Sequence, residues 1–150
     1  MWDSLFSFTN GLAMVAWVLL LVFPRKPLTH SAILYLGVGL LCLIYTVCFA
    51  LFVTGQVEPG GMAAAGRLDL TSIEGVRQFF LSDGGLVIGW THYLAFDLFT
   101  GLWIARDADA KQFPRLVQAP FLLMTFLVGP VGLLAWLVLR KPAARRLGRG

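Results

Sequence analysis

The stretch LVIGWTHYLAFDLFTGLWI, Leu86 to Ile104, places a histidine and an aspartate inside an otherwise apolar run. Nineteen residues make roughly 28 Å of helix at the α-helical rise, close to the ~30 Å hydrocarbon thickness of a bilayer. No Lys or Arg shares the run. Asp97 therefore sits near mid-depth without a local counter-charge. A carboxyl there either stays protonated or finds a partner, because lipid offers it no water. Expected partners are His92, Arg106 or Arg25 reaching inward, or a hydroxyl from Tyr45, Thr46 or Thr125.

Composition agrees with a membrane setting. Of 150 residues, 58% are hydrophobic and 13% charged, whereas a soluble domain carries about 25% charged. The +4 net charge does not point to nucleic acid. The basic residues flank apolar segments, and Arg140, Lys141, Arg145, Arg146 and Arg149 crowd the tail, as in juxtamembrane clusters that meet anionic lipid heads. Cys42 and Cys48 lie six positions apart within an apolar run, on different helix faces. They read as two buried small apolar residues.

The chain predicts an all-α polytopic membrane protein, a single domain over 1–150 with four transmembrane helices in a small bundle. The expected spans are 6–23, 31–53, 86–104 and 120–139, with a basic tail at 140–150. Pro24 and Pro27 close the first span, and Arg25 to His30 form a tight link to the second. Thr71-x-x-Glu74 matches a capping box, and Ile73, Val76, Phe79 and Phe80 follow at helical spacing. A short amphipathic helix over 71–81 is expected, lying on the membrane surface or lidding the bundle. Ser82-Asp-Gly-Gly85 should end it. Gly129-Pro130 falls inside the fourth span and should kink it, since proline removes one helical hydrogen bond. Trp2 and Trp136, near span ends, read as interfacial anchors.

On a helical wheel Trp90, Tyr93, Asp97, Thr100, Gly101 and Ile104 share a face, while His92 lies about 140° away from Asp97. A metal centre is not expected. Asp107 and Asp109 lie about 15 Å or more along the helix from Asp97, too far to share an ion. Haem is not expected either, since His92 and His30 should sit at different depths. Gly85-x-x-x-Gly89 and Gly101-x-x-x-Ala105 are small-residue pairs that let helices approach closely. The functional reading is acid/base chemistry on a lipophilic substrate, with Asp97 as acid, His92 as base or orienter and Tyr93 as an oxygen donor. Trp90, Thr100, Gly101, Tyr45, Thr46, Gly129 and Pro130 are the expected substrate-contacting residues. The competing reading is a non-catalytic module that binds pigment or lipid, or holds a partner enzyme. A small transporter is disfavoured, because only one span carries charge.

Trp90-Thr-His92-Tyr-Leu94-Ala-Phe-Asp97-Leu98-Phe99, followed by Gly101, Asp107, Arg115 and Gly129-Pro130-Val-Gly132, resembles the abscisic-acid-deficient-four-like membrane family. Its plant members are chloroplast proteins required for making neoxanthin from violaxanthin. The resemblance implies an intramolecular isomerisation: an acid protonates an epoxide oxygen and a base removes a carbon-bound proton, with no cofactor. It also implies a carotenoid or isoprenoid ligand among membrane lipids, and leaves a homo-oligomer or a membrane enzyme partner open. With no Arg/Ser-rich leader, the chain reads as a bacterial member in the inner membrane.

Overall fold

The computed structural model describes residues 1–23, 26–58, 60 and 69–147, with side chains as far as Arg140. Helix α1 spans Trp2–Val22 and α2 spans Pro27–Ala32. A π-helical segment, Ile33–Gly39, runs on into α3, Leu40–Val53. Helix α4 covers Ile73–Leu81, α5 Asp83–Ala110 and α6 Arg115–Leu147. Pro24 and Arg25, residues 59 and 61–68, and the side chains of the basic tail beyond Arg140 lie outside the described residues.

Among the described residues, three helical stretches are long and apolar enough to cross a membrane: Trp2–Val22, Pro27–Val53 and Arg115–Arg140. The expected span 86–104 is helical throughout, within the 28-residue α5, but is not among the three. Thr91, His92, Tyr93, Asp97 and Thr100 dilute its apolarity. Part of its apolar surface faces protein. Helix α5 packs against α1, α3, α4, α6 and the π-helical segment. Leu94, Leu98 and Leu102 form one buried stripe, and Gly101, Ala105 and Ala108 a second, small-residue stripe. The core they enter includes Ala13, Ala16, Trp17 and Leu20 of α1, with Ile33, Val38 and Leu41 of the second helical run. Leu86, Phe96 and Phe99 stay exposed. Between apolar helices in lipid, close packing replaces water expulsion as the holding force, so small residues at contacts matter.

Two close approaches set the spacing. A Cβ at Gly101 would lie 2.8 Å from Trp17 Cζ3 and nearer still to Cη2, and one at Gly37 would lie 3.1 Å from Leu98 Cδ2. The first brings α1 onto α5. The second lets the π-helical segment lie flat on both.

Helix α4 begins one residue later than the capping-box reading. Ser72, not Thr71, is the N-cap, and its Oγ accepts from the Gly75 N–H at 3.0 Å. Asp69 in turn accepts from the Thr71 N–H and hydroxyl and from the Ser72 hydroxyl. Those bonds hold its carboxyl down at about 2. Glu74 does not reach back to the cap; it engages Arg77 and Gln78. Ser82 ends α4 and also caps α5, donating to the Phe79 carbonyl and accepting from the Gly85 N–H. One serine thus sets the corner by which Phe79 reaches Phe52 and α4 leans on α5.

The anchor reading of the two tryptophans is corrected. Both are buried, and each indole N–H has a protein acceptor: Trp2 donates to the Glu58 carbonyl at 3.1 Å and Trp136 to Asp107 at 3.0 Å. Cys42 also departs from expectation, being exposed, whereas Cys48 is half-buried. Proximity to a span end tells depth, not which way a side chain turns.

Candidate functional site

Helix α6 is not straight. Val128 has φ −145° and ψ 49°, outside the helical range, immediately before Gly129-Pro130. Pro130 has no N–H, and its ring crowds the carbonyl four residues earlier, so the helix breaks there. The break folds Gly132 back on Thr125: a Cβ at Gly132 would lie 2.6 Å from Thr125 Cα. It also presents the backbone of Gly129 to α5.

Asp97 occupies that opening. A Cβ on Gly129 would fall 2.7 Å from Asp97 Cγ and 2.8 Å from Oδ2, and nearer still to Oδ1. Glycine is what admits the carboxyl. Oδ2 is sealed from solvent and meets no hydrogen-bond partner among the described residues. The Tyr93 hydroxyl, one helical turn earlier, lies close enough to interact with the Asp97 carboxyl and with the Gly129 backbone. The result is a three-part contact of phenol, carboxyl and broken-helix backbone at the α5–α6 seam. Asp97 as a whole is half-buried, so one side of the carboxyl is enclosed while the group remains approachable.

Next to it along the same seam is an open cleft of about 300 Å³ lined by Phe99, Thr100, Trp103 and Leu133. Thr100 is three residues beyond Asp97 and Leu133 four beyond Gly129, one turn further on each helix. The Thr100 hydroxyl bonds to the Phe96 carbonyl of its own helix, so the cleft presents rings and methyl groups.

The sequence model of one family, ABA DEFICIENT 4-like, matches residues 4–136. The chain belongs to that family. Comparison with curated proteins and with solved structures gives no match.

In this ABA DEFICIENT 4-like chain the expected site residues divide into two groups. Tyr93, Asp97, Gly129 and Pro130 come together at the seam, with Thr100 at the cleft beside them. His92 does not join them. It is exposed, stacks on Phe96 with ring centres 4.6 Å apart, and faces Tyr45 of α3 at 5.4 Å. Tyr45 stacks in turn on Phe49. Thr46 is exposed and its hydroxyl returns to the Cys42 carbonyl. Trp90 turns toward α1, donating to Asn10 at 3.1 Å while it stacks on Tyr93. Gly101 is filled by Trp17 and borders no open space.

The expected partners of Asp97 are also corrected. His92, Tyr45 and Thr46 lie on another side of α5, and the Thr125 hydroxyl is spent on the Phe121 carbonyl. Arg25 lies outside the described residues. Tyr93 is the partner, at i−4 on the same face, a spacing visible in the sequence.

A second polar cluster has no signature in the local sequence. At the far end of α5, Asp107 accepts from Trp136 and Arg140 of α6 and pairs with Lys111. Burial would raise this carboxyl, but the bonds from Lys111, Trp136 and Arg140 outweigh it, and it lies below the usual aspartate range. The Arg140 guanidinium also covers the Trp103 ring at 5.3 Å. The cluster ties α5 to α6 one turn beyond the cleft.

Proposed function

We propose that the α5–α6 seam is an acid/base centre for the isomerisation of a carotenoid-like or isoprenoid lipid. Family membership points to a neoxanthin-synthesis-related membrane protein, and the observation that carries the chemical reading is the Tyr93–Asp97 pair against the Gly129 backbone. In opening an epoxide to an allenic alcohol, the C–O bond breaks, the oxygen takes a proton and a neighbouring carbon loses one. The Tyr93 hydroxyl would supply the first proton and the Asp97 carboxylate take the second. Transfer from Asp97 back to Tyr93, its neighbour one turn earlier on the same face, restores the pair, so atoms and charge balance without a co-reactant. General acid and base catalysis of this kind contributes typically 10²–10⁴-fold each.

The apolar walls at Phe99, Trp103 and Leu133 suit a hydrocarbon chain lying against the bundle. In this reading α5 is the fourth crossing, its polar residues turned to its neighbours, and the protein resides in a bacterial inner membrane. His92, on the Tyr45 side, would contact a longer substrate rather than the reacting carbon. The non-catalytic alternative, a pigment- or lipid-holding module, draws on a second apolar cleft of about 420 Å³ between α1 and α3, lined by Trp2, Leu5, Phe8, Cys48 and Leu51 among others.

The deciding experiment reconstitutes purified protein in lipid nanodiscs with a carotenoid epoxide and follows products by chromatography. Conversion that falls at least 100-fold in both Asp97→Asn and Tyr93→Phe, as expected for loss of a general acid or base, supports the proposal. Full conversion by Asp97→Asn refutes it. Ligand retained without conversion by wild-type protein favours the holding module.

A further inference from the structure

The break at Val128 does more than bend α6. A straight helix would hold Phe121 and Trp136 roughly 22 Å apart, yet their ring centres lie 5.2 Å from each other. Trp136 also meets Phe113, which precedes the helix, at 5.1 Å. The stretch after the break therefore returns along the stretch before it. Contacts with α5 run in the same sense. Gly129 meets Asp97, Leu133 shares a cleft with Thr100, and Trp136 and Arg140 reach Asp107. The returning limb is thus parallel to α5, and the limb leading up to the break is antiparallel to it.

Each limb is short. Residues 115–127 make roughly 20 Å of helix and residues 129–140 roughly 18 Å, against ~30 Å of hydrocarbon. Arg115–Arg140 has the length and apolarity of a span, but folded back it reaches only part-way. We propose that α6 is a re-entrant hairpin, entering and leaving the membrane by the cytoplasmic face, with its tip at 128–130 near mid-depth beside Asp97. Broken backbone at such depth is tolerated where protein buries it, and Gly129 is buried under the Asp97 carboxyl. The crossings are then α1, the run Pro27–Val53 and α5, and α6 adds no fourth. None of this depends on the chemistry proposed at Asp97.

Charge supplies the second argument. Gly84 lies against Trp2 and Phe52, which gathers the start of α1, the end of α3 and the start of α5 at one end of the bundle. The start of α2 and the end of α5 share a cleft at the other, where both limbs of α6 also end. Among residues with described side chains, Lys26, Arg106, Lys111, Arg115 and Arg140 belong to that second end. Arg77 alone belongs to the first, which instead holds Asp3, Glu58, Asp69, Glu74 and Asp83. In sequence, Arg25 adjoins Lys26, and Lys141, Arg145, Arg146 and Arg149 follow Arg140, while Arg67 falls between α3 and α4. Lys and Arg beside spans are retained on the cytoplasmic side, where anionic lipid heads attract them. With α6 folded back, the basic residues collect on that side. An α6 that crossed would carry Arg140 and the tail over to the acidic end and erase the asymmetry.

Two measurements on the full-length chain, with Cys42 and Cys48 replaced by alanine, test the hairpin and its side. The first places spin labels through Leu116→Cys and Leu139→Cys, both exposed positions, and reads their separation in lipid nanodiscs by double electron–electron resonance. A straight helix sets them roughly 34 Å apart. Limbs packed about 8–10 Å from each other should bring the labels within about 20 Å. The second expresses single-cysteine chains in a bacterial inner membrane and treats spheroplasts with a membrane-impermeant maleimide. Gln78→Cys, exposed on α4, should react in intact spheroplasts. Gln112→Cys, exposed between α5 and α6, and a cysteine added after Gly150 should react only after permeabilisation. A separation near that of the straight helix overturns the proposal. So does labelling of Gln112→Cys and the added cysteine from opposite sides, or of both in intact spheroplasts.

Discussion

Gly129→Ala tests the central contact directly. The new Cβ would stand 2.7 Å from Asp97 Cγ and 2.8 Å from Oδ2, where carbon contacts normally settle at about 3.5 Å. The carboxyl must retreat by roughly 0.7 Å or more, or the helices must part. Turning Asp97 off its rotamer costs about 0.5–1.5 kcal/mol, and pulling its carboxyl away from the Tyr93 hydroxyl adds up to about 1 kcal/mol. The expected destabilisation is about 2 kcal/mol, within the range for overpacking. Asp97→Ala deletes the three atoms nearest the new methyl, so in that background Gly129→Ala should cost less than about 0.5 kcal/mol. The gain in helix propensity from glycine to alanine is common to both backgrounds and cancels. The assay is reversible unfolding in mixed SDS and dodecyl maltoside micelles, followed by tryptophan fluorescence, on wild type, both single variants and the double variant. A coupling of about 1.5–2 kcal/mol between the two sites is expected. Additivity within about 0.5 kcal/mol would refute the placement of the Asp97 carboxyl on the broken turn of α6, and the proposed centre with it.

Gly101→Ala pushes a methyl into the Trp17 ring, which is buried and held edge-on by Phe126; a loss of about 1–3 kcal/mol is expected in the same micelle assay. Gly11→Ala is its control, since a Cβ there has nothing within 4 Å, and it should stabilise by about 0.5–1 kcal/mol. Gln118 is 1% exposed and neither its oxygen nor its nitrogen has a hydrogen-bond partner among the described residues. Gln118→Leu should raise the unfolding midpoint, by about 1–2 kcal/mol, and a drop would reveal a partner for the amide. Asp107 has a lowered folded-state pKa, so its contribution is present above the unfolded value near 4 and is lost as pH falls through that range. Unfolding midpoints measured from neutral pH down to about 3 should slope downward in wild type and flatten in Asp107→Asn, which should itself cost about 2 kcal/mol at neutral pH.

Much of the helix order was legible because lipid-scale apolar runs and helix breakers act locally. The run 86–104 could be read as one helix, Gly129-Pro130 as a kink, and 71–81 as a short amphipathic element, each from residues within a turn or two of one another. The Tyr93–Asp97 spacing was equally plain, since i and i+4 share a face. Less accessible was where α5 would turn each face. His92 and Asp97 carry similar chemistry in the same segment, yet one meets α3 and the other α6. Trp2 and Trp136 looked like anchors because depth is written in sequence and azimuth is not. The Asp107–Trp136–Arg140 cluster joins residues 29 and 33 positions apart, and no local pattern announces such a pairing.

By itself, then, the order of amino acids determined that the chain is helical and apolar, where its helices break, and that one carboxyl lies deep within α5. Those properties follow from backbone hydrogen bonding and residue polarity, which depend on near neighbours. Only the tertiary structure decided that the carboxyl rests on Gly129 beside Tyr93, apart from His92. That choice depends on which helix stands on which side of α5, and small-residue contacts such as Gly101 on Trp17 and Gly37 on Leu98 settle it through close packing between distant parts of the chain.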